Sequence, residues 1–227
     1  PVKATEADTA TPFGQTPRVA MAIAPQAITT STPPVAAPAA GPDLSEAYNL
    51  ALTDLKAHKP GAVESLRKVA EAGYPAAQLS LGTALVSGED GVKKDPVAGR
   101  RWTLRAAQSG DRQAMHNLGM YLLDGSGGPT DPTGAVQWFR RAAEQGLVNS
   151  QYNLAALYQR GMGVPRNDAE AYKWYLVAAA TGDADARQRA DEVKRGLSAD
   201  ARQVAERSAA AFRLAAAAPP PATADLG

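Results

Sequence analysis

The three tryptophans of this chain, Trp102, Trp138 and Trp174, stand 36 residues apart, and the residues around them recur in step. An Ala pair follows each one (Ala106-Ala107, Ala142-Ala143, Ala178-Ala179), and then a Gly (Gly110, Gly146, Gly182). Ahead of them Gly91, Gly127 and Gly163 keep the period, as do Asp95, Asp131 and Asn167. A period of about 20 to 50 residues marks a solenoid, in which a unit buries its apolar side only by stacking on its neighbours. The usual work of such an array is to present a surface rather than to run a reaction.

Within a unit the signals are those of two helices. In the third unit Tyr152, Leu154, Leu157 and Tyr158 place apolar groups on more than one face of a helix predicted over 149–160. Gly161 suits its left-handed C-terminal position and the Gly-rich turn up to Pro165 breaks it. Asn167, like Asp95 and Asp131 before it, reads as the N-cap of the second helix, and Pro96 and Pro132 suit its first position. Ala171, Trp174, Tyr175 and the Ala pair then form the packing stripe. Each Trp is thus expected to be packed inside the second helix layer, beneath any binding surface. Gly82, Gly119 and Ala155 each follow a Leu, where a minimal side chain lets the partner helix come close.

These residues resemble the Sel1-like repeat, a tetratricopeptide-related helix-turn-helix unit. The likeness is carried by Asn153-Leu-Ala-Ala-Leu-Tyr-Gln-Arg-Gly-Met-Gly-Val164 and Ala171-Tyr-Lys-Trp-Tyr175, and it covers 74–182. It implies an all-α fold, a right-handed α-solenoid with flanking cap helices. The frame gives repeats over 74–110, 111–146 and 147–182. A degenerate unit over 43–73 precedes them, with Ser65 where Trp would stand, and a two-helix cap over 183–217 follows, with Ser198 as an N-cap.

Composition divides the remainder. Eight of the 17 prolines lie in the first 42 residues among Ala and Thr, and three more are consecutive at 219–221. Residues 1–42 and 218–227 therefore read as linkers, which cannot bury enough apolar surface to offset ordering entropy. The run from Val19 to Ile28 is too short to span a bilayer. The first residue, Pro1, reads as the start of a piece of a longer protein, with room for a membrane anchor upstream.

Most chemistry classes find no support. With 24 basic and 23 acidic residues interspersed, the chain offers no basic stripe for nucleic acid; Arg100-Arg101 and Arg140-Arg141 read as solvated helix faces. Without Cys there are no thiolate metal sites, and His58 and His116 have no partners at ligand spacing, so neither metal nor cofactor is expected. Ser65-Leu-Arg-Lys68 has Ser-x-x-Lys spacing, but no Ser-Asp-Asn or Lys-Thr-Gly companion follows it. No catalytic residue is assigned.

A partner would lie along the first helices. Groove positions taken from the tetratricopeptide likeness are Leu79, Thr83 and Val86 in the first repeat, His116, Met120 and Leu123 in the second, and Tyr152, Ala156 and Gln159 in the third. Asn117 and Asn153 add amides that could hold a peptide backbone. Such a row suits a peptide or helix laid in a groove; the alternative is that Leu79, Leu123 and Tyr152 pack against neighbouring repeats.

The third repeat, followed by Gly182-Asp-Ala-Asp-Ala-Arg187 and Leu197-Ser-Ala-Asp-Ala-Arg202, resembles the periplasmic region of the PodJ family of polar organelle localisation factors in alphaproteobacteria. That resemblance implies a non-catalytic protein-interaction scaffold at a cell pole, within a longer membrane-anchored protein, whose partners are periplasmic or membrane proteins. Two other readings stand beside it: a module that binds peptidoglycan glycan or peptide, and a Ser65-dependent lactam or cell-wall hydrolase. A cytoplasmic location is the alternative to the periplasm.

Overall fold

The computed structural model describes residues 43–217, so the two stretches read as linkers, 1–42 and 218–227, lie outside the described residues. Within that span the chain is ten α-helices without a strand: α1 (Leu44–Lys56), α2 (Ala62–Glu71), α3 (Pro75–Ser87), α4 (Pro96–Gln108), α5 (Arg112–Asp124), α6 (Pro132–Glu144), α7 (Val148–Arg160), α8 (Asp168–Ala179), α9 (Ala184–Lys194) and α10 (Ala199–Ala217). Consecutive helices pack on one another from α1 through α9, and α10 returns onto α8. The result is an all-α solenoid of helix pairs.

Capping chemistry sets the helix lengths. Asp95, Asp131 and Asn167 accept hydrogen bonds from the backbone N–H groups of Ala98, Gly134 and Glu170 at 2.9, 2.9 and 3.0 Å, satisfying donors that a helix start leaves open. The backbone N–H of each cap also donates into the first helix of its own pair, to the carbonyls of Leu85 (2.8 Å), Leu122 (2.7 Å) and Tyr158 (2.9 Å). This clamp closes the interhelix loop identically in all three repeats. It does so although the first loop, 88–91, is one residue longer than its counterpart at 125–127. Ser198 Oγ accepts from Ala201 N–H at the start of α10.

The core repeats with the same period, but one residue away from where the tryptophans suggest. Thr103, Phe139 and Tyr175, each directly after a Trp, are 0, 0 and 1% exposed, and Leu66 at 0% fills that position in α2. Across the pair they meet the first helix where its side chain is smallest: a Cβ on Gly82 would lie 2.5 Å from Thr103 Oγ1, and one on Gly119 2.8 Å from the Phe139 ring. Trp102 and Trp174 are also buried, but Trp138 is half-exposed. The expectation that every Trp is enclosed is therefore corrected at Trp138. The physical reason is angular, because successive helix residues point about 100° apart. The residue after Trp faces the first helix, and Trp lies to one side, covered only if something further packs there.

Stacking between repeats uses the turn glycines. A Cβ on Gly127 would overlap the Pro96 carbonyl and one on Gly163 the Pro132 carbonyl, so each turn lies directly on the start of the preceding repeat's second helix. Both also have positive φ, +76° and +69°, where an L side chain is strained. Behind them, Gln78 and Gln151 donate to the carbonyls of Ala70 and Ala143, each at 3.1 Å, satisfying acceptors at the end of the preceding helix.

The far end is closed by α10. Ala205 and Ala209 are buried against the array, and Phe212 meets the Trp174 ring edge-on with centroids 5.2 Å apart. Tyr172 donates to Glu206 at 2.9 Å. Burial and that carboxylate push the Tyr172 phenol up to about 12.

Candidate partner-binding surface

The first helices α3, α5 and α7 bring the row expected from the sequence to one side of the array, but not all of it to the surface. Leu79, Thr83 and Val86 on α3, Asn117 and Leu123 on α5, and Tyr152 and Gln159 on α7 are half-buried. His116, Met120, Asn153 and Ala156 are 0, 8, 2 and 5% exposed, so they are corrected from surface to packing positions.

Their partners explain the burial. His116 Nδ1 shares a 2.9 Å hydrogen bond with Ser150 Oγ of the next repeat, and its ring lies edge-on to Phe139 at 5.4 Å. Asn153 Nδ2 reaches back 3.5 Å to Met120 Sδ. These are stitches between neighbouring repeats, which a solenoid needs because each unit meets only its neighbours. Polar side chains enter the interior on condition that they are satisfied there.

The half-buried positions are partly committed as well. Tyr152 stacks edge-on against Tyr175 with centroids at 5.3 Å, and the Arg189 guanidinium from α9 hydrogen-bonds it. Gln159 accepts from the Tyr175 hydroxyl at 3.0 Å. Burial pushes the Tyr175 phenol up, keeping it a neutral donor. Thr83 is hydrogen-bonded by Tyr121 of the next repeat. Asn117 accepts from Gln113 Nε2 at 3.1 Å, one helical turn away, which leaves the Asn117 amide nitrogen for a partner. Gln113 and Tyr121 were missed in the sequence; the four-residue steps from 113 to 117 to 121 are the signal that would have found them.

The remaining candidates occupy other places. Ser65 and Lys68 lie exposed on α2 while Leu66 takes the packing position. His58 is exposed in the turn after α1. Among the described residues, no three His, Cys, Asp or Glu side chains are grouped to hold a metal ion.

Three consecutive segments, 75–111, 112–147 and 148–183, match the Sel1 repeat model, each starting one residue after the frame read from the sequence. The crystal structure of a Sel1 repeat protein from Oxalobacter formigenes superposes with a TM-score of 0.53 at 31% identity, over 58% of this chain and 98% of that one. The chain is a Sel1-repeat protein. A second solved relative is c5321, a protective antigen of uropathogenic Escherichia coli with an SLR fold, at TM-score 0.64 and 29% identity, covering 74% of this chain and 37% of that one. Over its entire length this Sel1-repeat chain is 45% identical to the localization factor PodJL of Caulobacter vibrioides, in strains NA1000 and ATCC 19089. It spans 24% of that protein's length. No helix among the described residues is long and apolar enough to cross a membrane.

Proposed function

We propose that this chain is a non-catalytic protein-interaction scaffold, acting in the periplasm as the repeat region of a membrane-anchored polar localisation factor. The observation that carries the reading is the likeness to the localization factor PodJL, which extends through every residue of the chain, caps included. The surface on α3, α5 and α7 supports it in kind: apolar and aromatic groups at Leu79, Val86, Leu123 and Tyr152, with amide handles at Asn117 and Gln159, suit an extended or helical segment of another protein.

The test has two parts. A reporter enzyme that works only after export, fused within the parent protein just before residue 43, is expected to be active, and inactivity would place the repeats in the cytoplasm. Excising residues 43–217 from the parent is expected to disperse the polar marker that it positions, whereas an undisturbed marker would remove the scaffold reading. Incubated with purified cell wall, the chain is expected to stay in the supernatant; co-sedimentation would favour glycan or peptide binding instead.

A further inference from the structure

On the side formed by the second helices, α4 and α6 leave between them a groove of about 340 Å³. Leu118 and Leu122 of α5 line its apolar part together with Val97, Leu104 and Trp138. Val97 is 55% exposed, which is unusual for an aliphatic residue beside such a groove, and Trp138 is the tryptophan that the core does not enclose. Arg100 and Arg101 complete one side, and Arg141 lies over the Trp138 ring at 4.8 Å from its centre. The one carboxylate in the lining, Asp131, is already engaged as the N-cap of α6. The groove is therefore apolar inside and cationic at its edge.

The chain itself shows what covers this helix face elsewhere. One repeat on, Trp174 occupies the position of Trp138, and there α10 lies on it. Two alanines, Ala205 and Ala209, allow close approach, Phe212 meets the indole, and Glu206 takes a hydrogen bond from Tyr172. Arg100 stands two periods before Tyr172, so the groove presents a charged donor at the repeat position where α8 presents a phenol. Arg100 also donates to the Pro129 carbonyl at 3.1 Å, which uses part of its fork and steadies the rest.

We propose that the α4–α6 groove is a second docking surface, distinct from the row on the first helices, and that it takes an acidic helix of a partner protein carrying small residues and one aromatic anchor. The anchor enters beside Trp138 as Phe212 enters beside Trp174. Carboxylates on the same helix meet Arg100 and Arg101, which selects acidic partners and speeds their encounter. This reading is independent of where in the cell the chain works.

A labelled peptide with the sequence of residues 199–217, carrying Arg202→Glu, Arg207→Glu and Arg213→Glu, is the probe, and the unmodified peptide is its reference. Fluorescence anisotropy with the full chain is expected to show the acidic peptide binding about tenfold more tightly than the reference, with the advantage shrinking as salt rises. Val97→Asp and Arg101→Glu, both at exposed positions that leave the core intact, are each expected to weaken it about tenfold while the circular dichroism melt stays unchanged. Equal binding of the two peptides, or undiminished binding to both variants, overturns the proposal; the latter would mean exchange with α10 on α8. Self-association of the chain that disappears in Val97→Asp would also overturn it, by giving the groove to a second copy.

Discussion

His116 of the second repeat and Ser150 of the third are both fully buried and share a 2.9 Å hydrogen bond between Nδ1 and Oγ, so two repeats are joined through a polar contact inside the core. Removing one side of such a pair leaves the other desolvated, at a cost of about 1–3 kcal/mol. Ser150→Ala is expected to lower stability by that amount in urea denaturation, while Asn117→Ala, half-buried one residue further on, stays within about 0.5 kcal/mol. A neutral Ser150→Ala would mean that the repeats are not stitched there.

Phe139 and Trp138 exchange the ranks that their sizes suggest. Phe139 is fully buried against Gly119 and Trp138 is half-exposed. Phe139→Ala is expected to cost about 3–5 kcal/mol through lost burial and the cavity left behind. Trp138→Ala should cost clearly less. Chemical denaturation followed by circular dichroism decides the order, and the reverse order would restore Trp as the packing residue.

This pair also marks how far the sequence can be read. Helix pairs, caps and loops were legible because Asp95, Asp131, Asn167 and the turn glycines act locally, through bonds a few residues long. The solenoid followed from the period. Burial around each helix was less legible, because a Trp every 36 residues marks a repeated position without saying which neighbour it meets. The partner row was legible only in part for the same reason: Tyr152 and Asn153 are adjacent, yet one remains half-exposed and the other turns inward to Met120. That difference is set by the neighbouring repeat.

Gly163 and Gly182 both have positive φ, but only Gly163 lies against another repeat, where a Cβ would overlap Pro132. Gly182 has open space. Gly182→Ala should therefore cost about 1–2 kcal/mol for the left-handed backbone alone, and Gly163→Ala distinctly more. Thermal melts of the two variants compare them directly; equal losses would remove the stacking role of the turn.

The phenol of Tyr172 titrates near 12 in the fold against an ordinary value of 10.0. A raised value means that the contribution is intact below pH 10 and is lost as pH climbs through 12, when the phenolate would face Glu206. Melts recorded from pH 9 to 12 are expected to fall, and Tyr172→Phe should make the decline shallower by one proton. It does not abolish the decline, because the Tyr121 and Tyr175 phenols are raised as well. An unchanged slope in Tyr172→Phe would sink the assignment.

The bond from each second-helix cap back to its own first helix has a genealogical consequence. Since Asp95, Asp131 and Asn167 close their hairpins on Leu85, Leu122 and Tyr158, none of the three loops borrows its closure from an adjoining unit. A stretch of DNA encoding one hairpin carries all that its loop requires. It can be duplicated, or lengthened by a residue ahead of the clamp as at 88–91, without rewriting the copies on either side. The regular spacing of the tryptophans is what such copying leaves behind.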